Sequence, residues 1–308
     1  MKKERIHIDK ISIKIEINHD PKKISSCYQI YSNDKYSFDD AVISYKAKKV
    51  SSEFDSVIKI QSFCTKDETS TGLKLSGNLY KFLYGHNVTG NSDIIDLILK
   101  TIDKLKHMNL VQPTDKQLEA IRLGQFRIHN IDIKRDIVFE SKQNALQYLS
   151  HLKKNATYTH KEKAIFENGI YFGLGSKRWH ICNYYKGREV EVNAKKSKTS
   201  RELKALADLM IRQEIRIHSK QLSTWDLRFG HQWLDFKSID IFFSNLFEKT
   251  RIPTIELKNS NNSITDNSDR KFYNCVINGD YENLFSKSTI NRKRKRFLEE
   301  YNIDIKSL

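Results

Sequence analysis

Tyr184, Lys186 and Glu189 fall within the six-residue string YYKGRE, and two further carboxylates, Asp132 in HNIDI and Glu214 in IRQEIRI, stand in apolar company. Residues two apart on a strand share a face, so a regular strand through this string places the Tyr184 phenol beside the Lys186 ammonium. A phenol has an intrinsic pKa of about 10 and is a poor nucleophile at neutral pH. A cation-bound phosphate and an adjacent ammonium would favour the phenolate and balance charge on phosphoryl oxygens. Lone carboxylates in the middle of strands are costly unless they are paired or bind a cation. Taken singly, Asp132, Glu189 and Glu214 read as solvent-facing strand residues, and Tyr184 reads as an ordinary aromatic strand residue. Taken together they suggest an oxygen-rich site, whose chemistry suits Mg²⁺ or Mn²⁺ rather than Zn²⁺. Tyr185 faces the other way and is assigned to packing.

The elements that must position these groups come from periodicity. Ile170 to Phe172 and Trp179 to Tyr185 read as two strands joined by a tight turn that holds Gly173 and Gly175. Lys177 and Arg178 follow that turn as candidate phosphate contacts, or as a solvated hairpin tip. Isoleucines at 6, 8, 11, 13, 15 and 17 alternate, with one slip that predicts a bulge or turn at Asp9-Lys10. Residues 40–47, 55–63, 121–133 and 211–217 also read as strands. Helices are expected from Asn91 or Ser92 as N-cap through Leu105, over Ser141–Leu152 and over Arg201–Ile211. The lysine-rich stretch 194–200 reads as a loop. His86 and Asn87, in LYGHNVTG, either contact a nucleotide or form the turn before the next helix.

This mixture of antiparallel strands with a few helices predicts an α+β fold around a central antiparallel sheet. Residues 1–220 are expected to form the main domain, 221–256 a helical extension, 257–269 a polar linker and 270–308 a small basic helix-turn-helix-like unit. In that last unit the run NRKRKR offers Arg292, Arg294 and Lys295 to a duplex. Consecutive cations on a helix cannot all face one groove, so two or three at most would touch phosphate together.

Composition narrows the function classes. The chain has 308 residues and a formal net charge of +16, from 54 Lys+Arg against 38 Asp+Glu, which points to a polyanionic partner. No apolar run approaches the ~20 residues of a membrane span, and no secretory leader is read at the N-terminus. The four cysteines, Cys27, Cys64, Cys182 and Cys275, form no CxxC pair. Neither a disulfide framework nor a zinc site is expected. An RNA-recognition role lacks its sequence strings.

With these residues in view, the chain resembles the gene II/gene X replication initiators of filamentous phages. The Y-x-K-x-x-E string at Tyr184, Lys186 and Glu189 resembles their nicking motif. The GHN segment, the IDI at Ile131 to Ile133, the RQEIRI string and the closing NGDYENLFSKSTINRKRKRFLEEYNIDI are similar to theirs in order and spacing. The resemblance implies a metal-dependent endonuclease and DNA joinase, with a nicking domain related to the histidine-hydrophobe-histidine endonucleases but with a mostly acidic metal site, since no such histidine triplet occurs here. It implies that Tyr184 attacks the scissile phosphate at the plus-strand origin to form a 5′-phosphotyrosyl link. Lys186 would be the motif lysine, and Asp132, Glu189 and Glu214 the holders of Mg²⁺ or Mn²⁺. Origin DNA, duplex and single-stranded, is the implied partner, with a host helicase and DNA polymerase, in the cytoplasm of a bacterial host. The alternative is a non-catalytic DNA-binding regulator of phage replication, like the gene X products.

Overall fold

The computed structural model describes residues 2–25, 28–31, 42–63, 72–193, 200–251, 264, 266–278, 281–301 and 305. The chain divides into two compact units, Met1–Ile252 and Pro253–Leu308. The first unit is built on one antiparallel sheet, and the fold is α+β as expected. Its strands are β1 (Lys2–Lys3), β2 (His7–Glu16), β3 (Tyr28–Tyr31), β4 (Val42–Tyr45), β5 (Lys48–Ser51), β6 (Val57–Phe63), β7 (Gly72–Gly77), β8 (Arg127–Val138), β10 (Lys163–Phe166), β11 (Gly169–Phe172), β12 (Trp179–Tyr185) and β13 (Met210–His218). A short separate ladder pairs β9 (Thr157–Tyr158) with β14 (Thr250–Arg251). Along the main sheet the order is β10-β11-β12-β13-β8-β2-β7-β6-β4-β3, with β1 on β8 and β5 on β6.

Alternation along the central strands explains where the core sits. Ile131, Ile133 and Ile137 of β8 are fully buried, as are Ile211 and Ile215 of β13 and Ile181 of β12. Each such side chain adds roughly 2–3 kcal/mol of transfer free energy. Helices α3 (Ile94–His107), α5 (Lys142–Asn155) and α9 (Phe236–Glu248) bring Ile98, Leu149 and Phe243 into the same core. Trp233, Ile239 and Phe247 lie there too. The segment expected as a helical extension therefore completes the core of the sheet unit, and no boundary falls at residue 220.

Several local expectations are corrected. The N-cap of α3 is Asp93, whose carboxylate accepts from the amides of Ile95 and Asp96. A carboxylate there also meets the positive end of the helix dipole. Residues 115–122 form helix α4 (Asp115–Arg122), closed by a Thr114/Gln117 capping box, so the strand begins only at Arg127. The short apolar run hid that helix because its isoleucine and leucine fit either period. The loop expected at 194–200 and most of the linker expected at 257–269 lie outside the described residues. The end of that linker is the first turn of α10 (Asn267–Asn278). The second unit adds α11 (Tyr281–Leu284) and α12 (Lys287–Tyr301) around Phe272, Tyr273 and Phe297. Cys182 and Cys275 are free thiols.

Candidate active site

The period of 2 that buries isoleucine on one face of the sheet leaves a polar set on the other. On β8 that set is Asp132, Lys134 and Asp136. Opposite them on β13 stand Arg216, Glu214 and Arg212. Opposite these on β12 stand His180, Cys182 and Tyr184. Register alone thus brings Tyr184, Glu214 and Asp132, three residues distant in sequence, onto one surface.

Asp9 joins them through an irregularity. In the pairing of β2 with β8, Ile8 faces Ile133 and Lys10 faces Asp132, so Asp9 is an extra residue, the bulge that the isoleucine slip predicts. A bulge re-aims a side chain without disturbing the strand on either side. Asp9 is only 3% exposed and accepts hydrogen bonds from the Nδ2 of Asn78 (3.1 Å) and of Asn87 (3.5 Å). Sequence reading placed the bulge but gave its carboxylate no role; a lone Asp at a phase slip between isoleucines was the available sign.

Asp9, Asp132 and Glu214 form a carboxylate trio, with one oxygen of each within 4.8 Å of the others. Such a set, all oxygen and largely buried, fits a hard divalent cation such as Mg²⁺ or Mn²⁺. The electrostatics agree, because like charges held together out of water resist full ionisation. Burial and the neighbouring Glu214 push the Asp132 carboxyl up to about 7. Burial also raises Asp9, but Lys134, Arg212 and Lys186 more than offset it and bring that carboxyl down to about 2. Arg216 donates from Nε to Glu214 Oε1 at 2.7 Å and lies 3.7 Å from Asp132, a guanidinium that partly balances the trio.

Tyr184 lies beside this cluster, and its hydroxyl donates to Glu214 Oε2 at 3.2 Å. Burial and the Glu214 charge hold the phenol well above its ordinary range, so a compensating positive charge must arrive before it ionises. Its cross-strand neighbour on β11 is Gly169. A Cβ at Gly169 would sit 2.8 Å from the Tyr184 Cβ and would collide with the Asn183 carbonyl oxygen. The missing side chain is what lets β11 lie against the tyrosine. At the hairpin end, Gly173 and Gly175 adopt φ of 73° and 84°, the conformations the turn requires.

Lys186 and Glu189 depart from the expected geometry. The strand stops at Tyr185, and both residues belong to helix α6 (Lys186–Asn193). Lys186 is fully buried, with its ammonium donating to Asn87 Oδ1 at 2.9 Å and to Glu189 Oε2. Burial and Arg212 lower it to about 8. Glu189 is therefore the ion-pair partner of Lys186, outside the trio, and Asp9 stands where the third acidic residue was expected.

Asn87 is wired into the protein on both sides. Its backbone carbonyl accepts from Lys134 Nζ and from Arg212, each at 2.8 Å, and its side chain bridges Lys186 and Asp9. Buried Arg212 also donates twice to Asp136, at 2.7 and 2.8 Å. The His86 ring packs edge-on against Tyr80 at 5.5 Å, and burial with Lys134 lowers its pKa. Sequence reading missed Lys134, Arg212 and Arg216, which look there like unremarkable strand cations.

Asp9, Asn87, Glu189, Glu214, Tyr184 and Arg216 line a cleft of about 700 Å³. Lys177 and Arg178 are exposed at the hairpin end and do not line it. His180 lines it as a neutral ring, lowered to about 4 by burial and Arg216, whereas His129 does not. In the second unit Arg292 and Lys295 are exposed and Arg294 is partly buried. Lys293 between them is buried against Asp269, which also accepts from the Tyr301 hydroxyl at 3.0 Å.

A phenol hydrogen-bonded to one of three clustered carboxylates, in an open cleft on a basic protein, has the parts of a metal-assisted phosphoryl-transfer site. Residues 7–235 match the family model that describes the N-terminal part of a phage replication-associated protein, the gene II protein. The chain belongs to that family. It is similar to the replication-associated protein of the same kind from Enterobacteria phage I2-2, with 25% identity over 276 residues that cover 85% of this chain and 78% of that protein. Among solved structures, it aligns with a rolling circle replication initiator protein from Geobacillus stearothermophilus over 84% of this chain and 91% of that one. That overlap has a TM-score of 0.35 at 10% identity, too loose to bear on the site. Among the described residues no helix is long and apolar enough to cross a membrane.

Proposed function

We propose that this protein initiates rolling-circle replication of a phage genome by nicking one strand at the origin and later rejoining it. Tyr184 is the nucleophile. Its oxygen bonds to the scissile phosphorus while its proton passes to the Glu214 carboxylate that already accepts its hydrogen bond. The bond from phosphorus to the 3′ oxygen breaks, and that oxygen takes up a proton to leave a 3′-hydroxyl for the polymerase to extend. The 5′ phosphate stays on the tyrosine until a 3′-hydroxyl attacks it and closes the strand. Asp9, Asp132 and Glu214 hold Mg²⁺ or Mn²⁺, which would polarise a phosphoryl oxygen and lower the energy of the phenolate. Lys186 acts by position, fixing Glu189 and Asn87 at the wall of the cleft.

The observation that supports this reading most is the hydrogen bond from Tyr184 to Glu214 within the carboxylate trio. The net charge of +16 and the exposed Arg292 and Lys295 suit the origin duplex as partner. A host helicase and polymerase, met in the bacterial cytoplasm, follow from the same role. The test is incubation with supercoiled phage origin DNA and Mg²⁺ or Mn²⁺, followed by a denaturing gel. Protein attached to a labelled 5′ end supports the proposal. Salt-sensitive binding with no attachment in any divalent cation would replace it with a DNA-binding regulator.

A further inference from the structure

The side of the cleft away from the carboxylates is aromatic. Phe166 on β10 is 47% exposed, unusual for a phenylalanine on a strand. It packs edge-on against Tyr171 at 5.1 Å, and Tyr171 lies 6.3 Å from His180, so three rings run in sequence along one wall. All three line the same cleft as Tyr184 and Glu214, with the exposed Leu174 at its lip. They share the face of the nucleophile by register: Phe166 pairs with Gly169, which pairs with Tyr184, and Tyr171 pairs with Cys182, which pairs with Glu214. Across the cleft from the rings come cations, Lys10, Lys81 and Arg216. The metal site uses none of the rings, and the core does not cover Phe166.

We propose that Phe166 and Tyr171 form a stacking shelf for an unpaired base of single-stranded DNA next to the bond that Tyr184 cuts. This rests on the nicking function proposed above and adds to it how the strand is held. A single strand presents two chemistries at once, a phosphate chain and apolar base faces. A groove with lysines on one wall and exposed rings on the other matches both. A paired base cannot reach the rings, because its faces are taken by its neighbours in the duplex stack. The shelf therefore selects melted DNA, and Gly169 keeps the row between Phe166 and Tyr184 clear of side chain.

The test separates bases from phosphates. Binding is measured for Tyr184→Phe protein, which leaves the strand intact, with an oligothymidylate of about twenty nucleotides and with an abasic chain of equal length and charge. The expected result is a preference for the base-bearing strand of about tenfold, and its collapse to near unity when Phe166→Ala is added. The salt dependence of binding to the abasic chain stays unchanged. Phe166→Leu, which keeps apolar bulk on the strand but removes the ring, collapses the preference too. Retention of the preference in either variant, or an equal loss of affinity for both chains, overturns the shelf. Failure of the nicking function reads out differently, as no 5′ attachment by the wild-type protein whatever the two chains show.

Discussion

The hydroxyl of Tyr184 donates to the Oε2 of Glu214 at 3.2 Å, from one strand to the next. The two residues sit thirty apart in sequence and are not direct cross-strand partners: Tyr184 faces Arg212, and Glu214 lies one same-face step further along. This diagonal contact lets one carboxylate serve both the phenol and the trio. Tyr184→Phe is expected to abolish covalent DNA attachment, by about 10⁴-fold or more. Duplex binding should stay within about threefold, since nothing charged is lost. Denaturing gels for attachment and titration of labelled duplex for binding check both halves; a parallel loss of binding would make the tyrosine structural.

The third ligand can be decided directly. Asp9→Asn is expected to weaken Mn²⁺ binding by at least the ~10–100-fold that loss of even an outer partner costs a metal site. Glu189→Gln should change it by less than about threefold, because Glu189 belongs to Lys186. Calorimetric titration with Mn²⁺ on the two variants compares them, and the reverse order would restore Glu189 to the metal.

Cation binding should depend on pH through Asp132. Its carboxyl, raised to about 7, is protonated below that pH and cannot ligate in that form. Mn²⁺ affinity is expected to fall on acidification from pH 8 to 6, by at most about tenfold per unit for one proton. Titrations in buffers of different ionisation enthalpy at pH 6.5 should show release of close to one proton. Affinity flat across this range would disprove the assignment.

Arg212 is fully buried and holds Asp136 together with the carbonyls of Asn87 and Val88. Removing one partner of a buried ion pair strands the other, so Arg212→Ala should lower stability by about 3–5 kcal/mol in urea unfolding. The pair also sets an acid limit. Burial raises the Asp136 carboxyl, but Arg212 lowers it further, leaving it below its ordinary value. A depressed carboxyl stabilises above its unfolded pKa of about 3.9, and that stability is lost as pH falls through the folded value. In Asp136→Asn this part of the acid dependence should vanish, as Tm measured from pH 6 to 3 would reveal.

In the second unit adjacent cations should behave differently. Lys293→Ala removes the partner of fully buried Asp269 and is expected to lower the thermal stability of that unit. Arg292→Ala and Lys295→Ala should leave melting unchanged and reduce the salt slope of DNA binding by about one each. Uniform behaviour of the three variants would rule out this division.

Much of this protein could be read from its residues in a row. Strand alternation, the turn at Gly173 and Gly175, the bulge at Asp9-Lys10 and the Y-x-K-x-x-E string are all local, and local periodicity suffices to find them. The α+β class and the candidate phenol follow from those alone. The composition of the site did not. Lys186 and Glu189 were expected on a strand beside Tyr184, but the chain turns into a helix at Lys186, a change that no residue in the string announces.

Which carboxylates meet was decided by tertiary structure, because sheet register joins residues whose separation in sequence carries no information. Asp9 reaches Asp132 and Glu214 only because β2 and β13 flank β8, and because the bulge turns one side chain across. The same register gave Lys134 and Arg212 their work of pinning Asn87, and buried Lys293 while its neighbours stayed in water reflects the same rule on a helix, where packing chooses one face. Residue types set what chemistry was possible; strand order set where it could occur.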